Sequence, residues 1–309
     1  MQTFLELLPQ QLINGVTLGA VYALIALGYS MVYGILGLLN FAHGDVYMVG
    51  AFIGFGTLNT LVTGNALSLP PAIALIVILL VAMVGSGILG VAIESVAYRP
   101  LRSAPRIAPL ISALGVSFFL QNAMQLTQGA RIQIYKSTLI IPLEAGVNIG
   151  TARLSATRGL VVVVAVGLMI ALTYLVQRTK LGRAMRAVSI DREAAAMMGV
   201  DIDRVISLTF FIGSALAGAA GVLIGMIPQQ ISPTMGFTAG LKGFTAAVIG
   251  GIGNVPGAML GGLLLGLVET FATGFISGTY RDAITFVVLV LVLLIRPGGL
   301  LGIRMPQKV

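Results

Sequence analysis

Several residue types that build soluble enzymes and metal centres are missing or scarce in this chain. It has no cysteine, which excludes disulfides and thiolate metal sites. Its single histidine, His43, excludes a metal centre built from several histidines. Charged residues make up 9% of the 309 residues, against about 25% in soluble domains, whereas hydrophobic residues make up 57%. A mean hydropathy of +1.02 therefore indicates that lipid is the solvent of this chain.

The sequence also lacks the motifs of nucleotide hydrolysis and of common hydrolases. A G-x-x-x-x-G-K-[ST] phosphate loop is absent, which excludes ATP binding by that route. Neither a nucleophile elbow nor an H-E-x-x-H motif occurs, so we expect no catalytic residues, no metal and no cofactor. The net charge of +8 comes from loops between apolar runs, without the interleaved aromatic residues of a nucleic-acid surface.

Long apolar runs predict an all-α integral membrane protein that forms one transmembrane domain over residues 1–309. A hydrocarbon core of ~30 Å requires roughly 20 apolar residues of helix. The N-terminus has no basic segment or small-residue cleavage site, so we expect it to be retained. We predict eight to ten spans, of which the first is long enough to contain a broken helix. The candidate spans are 11–38, 44–63, 70–96, 107–128, 159–177, 206–228, 240–253, 257–275 and 283–300.

Basic residues orient these spans, because cytoplasmic loops carry an excess of Lys and Arg. Three segments hold twelve of the 18 Lys and Arg, and we place them in the cytoplasm. The N-terminus is then external if 11–38 crosses once and internal if it crosses twice. The basic residues of the three segments are Arg99, Arg102 and Arg106; Arg178, Lys180, Arg183, Arg186, Arg192 and Arg204; and Arg296, Arg304 and Lys308.

The loop at about 129–158 lies outside the membrane under this orientation. Apolar and polar residues alternate along it between turn residues, which is typical of short strands. We therefore predict a folded cap on the outer face, and the alternative is a plain connector.

Small residues form stripes along several predicted helices. They recur every four positions within 15–23, 213–225 and 257–266. Such spacing lets helix backbones approach closely, so we interpret these stripes as packing surfaces.

Two glycine-rich segments, 34–51 and 240–262, interrupt the helical pattern. Both contain G-x-x-N, at 37–40 and at 251–254, which suggests an internal repeat. Non-helical backbone at membrane depth must be buried in protein or line a watery cavity. We therefore predict that both segments border a translocation path, with the candidate residues Asn40, His43, Gly44, Gly251 and Asn254.

Ionisable residues inside the predicted spans have two interpretations. They are functional candidates by default in a membrane protein. For Asn40, His43 and Asp45 we favour the alternative, in which they cap helix ends at the cytoplasmic interface. Lys242 is predicted to extend its side chain to the outer surface. Glu94 is predicted to pair with Arg99 and Arg102, and Glu269 lies in an apolar run of the outer half.

The polar segment 177–204 is the longest charged island in the chain. Asp191 is a suitable N-cap, Glu193 falls in the first turn, and Gly199 is a suitable helix stop, which predicts a helix over 191–198. Asp201 or Asp203 is predicted to cap the next span. A helix of eight residues is unstable alone in water. It therefore either rests on the membrane surface or docks on a cytoplasmic partner, and we favour docking through Ala194, Ala195, Met197 and Met198.

The residues of this segment resemble a known family. E-A-A-x-x-x-G at 193–199 is similar to the loop of ABC importer permeases that contacts the ATPase subunits, although the downstream I-x-L-P is replaced by Ile-Ser-Leu-Thr at 206–209. GLLNFAHGD at 37–45, RTKLGRAMRA at 178–187, A-A-x-x-M-G-V-D at 194–201 and the glycine-rich segment at 240–262 resemble branched-chain amino acid ABC permeases of the LivH type, in the hydrophobic amino acid uptake family. The resemblance covers nearly the whole chain.

This resemblance implies a fold, partners and a set of coupling residues. It implies an inverted repeat like that of type II ABC importer permeases, in the bacterial inner membrane. It also implies a second related permease, two cytoplasmic ATPase subunits that bind the ATP, and a periplasmic substrate-binding protein. The cytoplasmic coupling loop at about 178–205 would contact the ATPases through Arg183, Arg186, Asp191, Glu193, Ala194, Ala195, Met198 and Gly199.

Two alternatives stay open at this stage. Urea and short-amide permeases are similar in sequence and would carry a more polar substrate. A stand-alone channel or ion-coupled carrier is the rival from another class, although the sparse charges form no evident carboxylate relay.

Overall fold

The computed structural model describes residues 2–64, 70–102, 104–105, 107–142 and 145–302 and contains eleven α-helices over these ranges. Arg106, Arg304 and Lys308, which helped to orient the chain, lie outside them. The helices are α1 (Gln2–Leu36), α2 (His43–Thr63), α3 (Pro71–Ile93), α4 (Ile107–Gln128), α5 (Ala156–Arg178), α6 (Lys180–Ile190), α7 (Arg192–Met197), α8 (Ile202–Met226), α9 (Met235–Gly250), α10 (Val255–Phe275) and α11 (Arg281–Ile295).

Eight of these helices are long and apolar enough to cross a membrane, which confirms the predicted all-α membrane fold. They are α1 to α5, α8, α10 and α11. A π-helical turn (Glu94–Tyr98) and a 3-10 turn (Arg99–Leu101) extend α3, and a 3-10 turn (Gly278–Tyr280) precedes α11. With 16 residues, α9 is too short for an ordinary crossing.

The first predicted span proves to be one continuous helix, so the expectation of a possible break within it was wrong. Pro9 lies inside α1 near its start without dividing it. Because α1 crosses once, the charge-based orientation places the N-terminus outside. Its outer end meets the cap, where Thr151 donates a hydrogen bond to the carbonyl of Glu6 at 3.0 Å.

Short strands form a cap at one end of the bundle, as the alternating pattern predicted, and the charge-based orientation assigns this end to the outer face. β1 (Gln133–Ile134) pairs antiparallel with β4 (Gln230–Ile231), which follows α8. β2 (Gly146–Ile149) and β3 (Ala152–Ser155) form an antiparallel hairpin. Tyr135 anchors the cap, because its side chain is fully buried. The same burial raises the pKa of its hydroxyl well above the ordinary value.

The core is organised around α1, whose middle third is buried on all sides. Its small-residue stripe packs against the stripe of α10: Gly15 and Gly19 meet the backbone near Leu267 and Leu263. A Cβ at Gly262 would collide with the backbone of Ala23. The predicted packing role of these glycines is thereby confirmed.

The first four and last four helices repeat one arrangement in opposite directions. α1 and α8 are each followed by a non-helical stretch, at 37–42 and 227–234, that returns into the bundle. α2 and α9 then begin in the interior and run towards opposite membrane faces. Gly44 and Gly236, the second residues of α2 and α9, lie in direct backbone contact. This contact marks the centre of an inverted repeat.

The predicted repeat between the two G-x-x-N segments was wrong. Both G-x-x-N segments, at 37–40 and 251–254, lie towards the cytoplasmic face, after the inner end of α1 and before the inner end of α10. An inverted repeat places matching parts on opposite faces. The counterpart of 37–42 is therefore 227–234. Its first two residues belong to the predicted span 206–228.

Candidate functional site

The polar segment between α5 and α8 folds as two short helices at one end of the bundle, which the charge pattern assigns to the cytoplasm. Thr179 caps α6 by accepting a hydrogen bond from the amide of Gly182 at 3.1 Å. Met185 and Val188 on α6 are buried against the bundle. Arg183 and Arg186 lie on the exposed side, and Arg186 also donates to the carbonyl of Val176.

The predicted helix over 191–198 is present with its predicted caps. Asp191 accepts a hydrogen bond from the amide of Ala194 at 3.1 Å, and Glu193 stands in the first turn of α7. Gly199 has φ +83°, and its amide bonds to the carbonyl of Ala196 at 2.9 Å. The next amide, of Val200, bonds to the carbonyl of Ala195 at 3.0 Å, which completes a Schellman turn. Asp201 caps the following helix, as one of the two predicted candidates.

One side of this helix pair presents apolar side chains to solvent. Met197 is 82% exposed, Met198 85% and Ile190 86%, although a polar segment surrounds them. Ala194 and Glu193 share this exposed surface. Ala195 does not, because it is buried against the bundle and accepts the bond that ends α7; its predicted place on the docking face was wrong. A clustered exposed apolar surface of this kind is typical of a protein contact.

Arg192 joins this helix to the first membrane span, a contact that sequence reasoning missed. Its Nη2 donates to the carbonyl oxygens of Ile35 and Leu36, each at 3.0 Å. These are carbonyls of the last turn of α1, which lack helical partners. Directly beyond them, Gly37 turns the chain with φ +65° into the 37–42 stretch. A displacement of α7 would therefore pull directly on the end of α1.

Ion pairs fasten the neighbouring helix ends on the same side. Glu94 pairs with Arg102, as predicted, and also accepts a hydrogen bond from Ser207 at 2.8 Å. Arg99 pairs with Asp203 instead of Glu94, and Asp203 also binds Arg102. The cluster ties the end of α3 to the start of α8, beside α6 and α7.

The break between α1 and α2 lies within the protein, so the favoured capping interpretation was wrong. Asn40 is buried and accepts a hydrogen bond from the hydroxyl of Tyr98 at 3.0 Å. Asp45 is fully buried and accepts one from Ser117 of α4. At the start of α2, whose N-cap is Ala42, no side chain makes a capping bond. The break lies inside the helix bundle and not at the membrane interface, so its polar side chains contact neighbouring helices.

His43 occupies the centre of this buried break. Its ring is fully buried and lies edge-on to Tyr29, with ring centroids 4.8 Å apart. Gly28 leaves the space for the ring, since a Cβ there would collide with it. The ring interacts with the backbone carbonyl of Ile25, although neither ring nitrogen has a well-formed hydrogen bond within the described part of the chain.

The second glycine-rich break, near 251–254, closes the cytoplasmic end of α9 and α10. Asn254 caps α10 through the amide of Gly257 at 3.2 Å and donates to the carbonyl of Leu301 at 2.6 Å. Gly251 has φ +106° and packs against the backbone of Gly302. The C-terminal stretch at 296–302 thus covers this break.

The two glycine-rich segments touch through glycines on both. Gly34 lies against Gly253, and Gly44 lies against Gly240. The first contact joins the end of α1 to the second break, and the second contact joins the start of α2 to α9. They involve neither Asn40 nor Asn254, whose hydrogen bonds go to Tyr98 and Leu301.

Lys242 is buried in an ion-pair cluster of the outer half, which contradicts the prediction that it reaches the outer surface. Its Nζ lies 3.0 Å from Oε1 of Glu269 and 2.7 Å from Oδ1 of Asp282. Arg281 also pairs with Glu269, and Tyr22 donates to the same oxygen at 3.0 Å. A buried ammonium group needs such partners, which were distant in sequence.

Two adjoining cavities with both polar and apolar walls open beside this cluster, with volumes of about 460 and 390 Å³. Both are lined by Asn14, Arg158 and Ile227, and the larger also borders Glu269 and Arg281. They lie where α1, α8 and α10 end below the outer cap. This end of the bundle thus contains open space that charged residues border.

Comparison with known proteins places this geometry in a family. Residues 11–293 match the family described as "Branched-chain amino acid transport system / permease component". The chain is 44% identical over 306 residues to the high-affinity branched-chain amino acid transport system permease protein LivH of Escherichia coli K12 and 45% identical over 303 residues to BraD of Pseudomonas aeruginosa, each covering 97% of both chains.

A more distant relative is similar over a comparable length. The probable branched-chain amino acid transport permease protein LivH of Methanocaldococcus jannaschii is 28% identical over 291 residues, covering 91% of this chain and 88% of that protein. Eight apolar helices and these relatives identify a multi-pass inner-membrane transport protein and not an enzyme. The chain belongs to the family of branched-chain amino acid transport system permease components.

Proposed function

We propose that this chain is a transmembrane permease subunit of a binding-protein-dependent ABC importer for branched-chain amino acids. The observation that carries the proposal is the exposed apolar face of α7, with Met197 and Met198, on a helix whose Arg192 holds the end of α1. The relatives LivH and BraD, which bear that transport name, align with nearly all of the chain.

The partners follow from this role. Two cytoplasmic ABC ATPase subunits bind and hydrolyse the ATP, and this chain itself binds no cofactor. A periplasmic substrate-binding protein delivers the amino acid to the outer cap, and a second related permease completes the membrane part. The relatives are each named as the permease protein of a transport system, which supports a system of several components.

The coupling route starts at the ATPase. A groove on that subunit receives Ile190, Ala194, Met197 and Met198 and buries their exposed surface. Arg183, Arg186 and Glu193 border the contact as charged residues, and Asp191 and Gly199 hold the helix ends. Closure of the two ATPases then moves α7, and Arg192 transmits the displacement to the carbonyls of Ile35 and Leu36.

The displacement reaches the buried break next. The stretch 37–42 connects the end of α1 to His43 and Gly44, which lie at the centre of the inverted repeat. Tightly packed interfaces of this kind switch between discrete arrangements and do not deform continuously. Asn40, His43 and Gly44 therefore belong to the moving wall of the path, and Gly251 and Asn254 border its cytoplasmic exit.

The path itself runs along the exposed face where α9 begins, beside α2 and α11, on which α9 packs. We name this the path face; its exposed residues at membrane depth include Thr234, Phe237 and Thr238. Two hydroxyls beside an aromatic ring suit a zwitterion with an apolar side chain, whereas urea would require more amide-type hydrogen bonding. The second permease faces this surface and supplies the other half of the path.

Affinity purification from native membranes through a tag on this chain tests the proposal. We expect two ATPase copies, a second permease and a binding protein that carries leucine, isoleucine or valine. Urea or a short amide in the binding protein would overturn the substrate and retain the importer class. Purification without any ATPase subunit, together with transport that persists without ATP, would instead indicate a channel or ion-coupled carrier.

A further inference from the structure

A long apolar groove runs along the membrane surface of the chain, away from the path face. Its floor is α1 at Val16 and Ala20, and α5 and α10 form its walls. Its volume is about 700 Å³, and exposed apolar side chains such as Ile170 and Leu260 line it. From Val162 to Arg178 it follows α5 for roughly 24 Å at 1.5 Å per residue.

One end of the groove is polar and basic. Gln177 and Arg178 line its cytoplasmic end, where α5 finishes, and both are exposed. The Arg178 guanidinium has no ion-pair or hydrogen-bond partner in the described ranges. Tyr174 stands next to them, 66% exposed, at the depth where aromatic rings mark the membrane interface. The groove therefore combines an apolar channel with a single cationic mouth.

We propose that this groove binds one phospholipid with an anionic headgroup from the cytoplasmic leaflet. An acyl chain fills the groove between α5 and α10, and the headgroup phosphate accepts hydrogen bonds from Arg178 and Gln177. One leaflet of hydrocarbon is ~15 Å thick, so a groove of roughly 24 Å accommodates a full chain. Basic pockets between helices on the cytoplasmic side favour anionic lipids in the same way.

The position of the groove favours lipid over a second permease. α5 packs on α1, α6 and α8, whereas α9, where the path face begins, packs on α1, α2, α10 and α11. Among the described residues, the lining of the groove includes none from α9 or α11, so the groove and the path face are separate surfaces. Because a gap in the bilayer core that no atoms fill forfeits dispersion contacts, acyl chains occupy such a gap. The phosphate then neutralises a charge that the protein leaves unpaired.

Native mass spectrometry of the purified, delipidated transport complex tests this site, with phosphatidylglycerol and phosphatidylcholine titrated separately. We expect phosphatidylglycerol to bind the intact complex more tightly than phosphatidylcholine. Arg178→Gln should weaken phosphatidylglycerol binding about fivefold, which is the effect of one basic residue near an anionic lipid. Arg204→Gln removes a cytoplasmic arginine outside the groove and should leave the affinity unchanged.

A groove-filling variant provides the second arm. Val166→Trp places an indole where the acyl chain would lie, and it should reduce the binding of both lipids while all subunits remain assembled. Equal phosphatidylglycerol affinity of wild type and Arg178→Gln would overturn the proposal. Loss of the second permease from the Val166→Trp complex would also overturn it, because the groove would then be a protein interface.

Discussion

Lys242 of α9 and Glu269 of α10 form an ion pair inside the membrane protein, with Nζ 3.0 Å from Oε1. The Glu269 side chain is fully buried, and the same oxygen also accepts from Tyr22 and Arg281. One carboxylate thereby joins α1, α9, α10 and the start of α11. The contact fixes the outer half of the bundle, where α9 is too short to span the membrane alone.

This arrangement predicts that Glu269 contributes more to the stability of the folded protein than Lys242 does. Glu269→Ala leaves Lys242 and Arg281 without their shared partner, and removing one member of a buried pair costs about 3–5 kcal/mol. Lys242→Met should cost less, because Arg281 still neutralises Glu269 and Asp282 is largely exposed. Thermal unfolding of the purified complex in detergent measures both. Equal stability of wild type and Glu269→Ala would contradict the structural role.

A side chain at Gly199, just after α7, should strain the backbone without colliding with any neighbour. Gly199 has φ +83° and open space where a Cβ would stand. Gly199→Val should reduce transport strongly, because a β-branched residue is an outlier at this φ and the left-handed conformation costs roughly 1–2 kcal/mol. Gly199→Asn, which tolerates this conformation, is the matched control and should retain most of the uptake. Similar uptake by both variants would remove Gly199 from the account.

Substitution of Arg192 should impair transport without releasing the ATPase subunits. Arg192→Met removes charged hydrogen bonds worth about 1.5–3 kcal/mol, so we expect uptake to fall about tenfold or more. The ATPase subunits should still copurify, because the exposed Met197 and Met198 are unchanged. Arg192→Lys should recover part of the uptake, since an ammonium group can still reach one carbonyl. Release of the ATPases by Arg192→Met would show that Arg192 acts in docking.

The contact at the centre of the inverted repeat predicts a contrast within α2. A Cβ at Gly44 would collide with the backbone of Gly236 and Gly240, whereas a Cβ at Gly56 meets nothing within 4 Å. Gly44→Ala should therefore block uptake and lower the unfolding temperature, and Gly56→Ala should change neither. A chain that transports normally with Gly44→Ala would show that this contact can open without cost.

The topology is testable because the chain contains no cysteine. Asn148→Cys in the exposed β2 strand should react with an impermeant thiol reagent added to intact cells. The exposed Ser189→Cys of α6 should react only after the membrane is opened. Ser137→Cys is a control that should stay protected in both cases, since this side chain is buried. The opposite pattern at positions 148 and 189 would invert the orientation.

Local signals in the sequence predicted a large part of this fold. Hydropathy gave the spans, and the helix over 191–198 followed from Asp191, Glu193 and Gly199, because caps and stops act within one turn. The strands of the outer cap followed from alternation. These features depend on near neighbours in the chain, which a single sequence contains.

The wrong predictions concern two properties: how deeply a residue lies in the membrane protein, and which residues distant in sequence it contacts. Nothing near Lys242 in sequence reveals Glu269 or Asp282, so the long side chain was predicted to leave the membrane. The break around His43 was placed at the interface, although tertiary packing against Tyr98 and Ser117 draws it inwards. The matched G-x-x-N motifs suggested the wrong repeat, because the true one relates 37–42 to 227–234 with little shared sequence. Arg192 carries no sequence signal beyond its charge.

Uptake of labelled leucine by proteoliposomes tests the central claim most directly. The complex of this chain with the proposed second permease and two ATPases is reconstituted, and the proposed binding protein and ATP are supplied on their respective sides. We predict that leucine accumulates only when both are present and that this chain alone transports nothing. Leucine uptake by this chain alone, unaffected by ATP, would contradict the account.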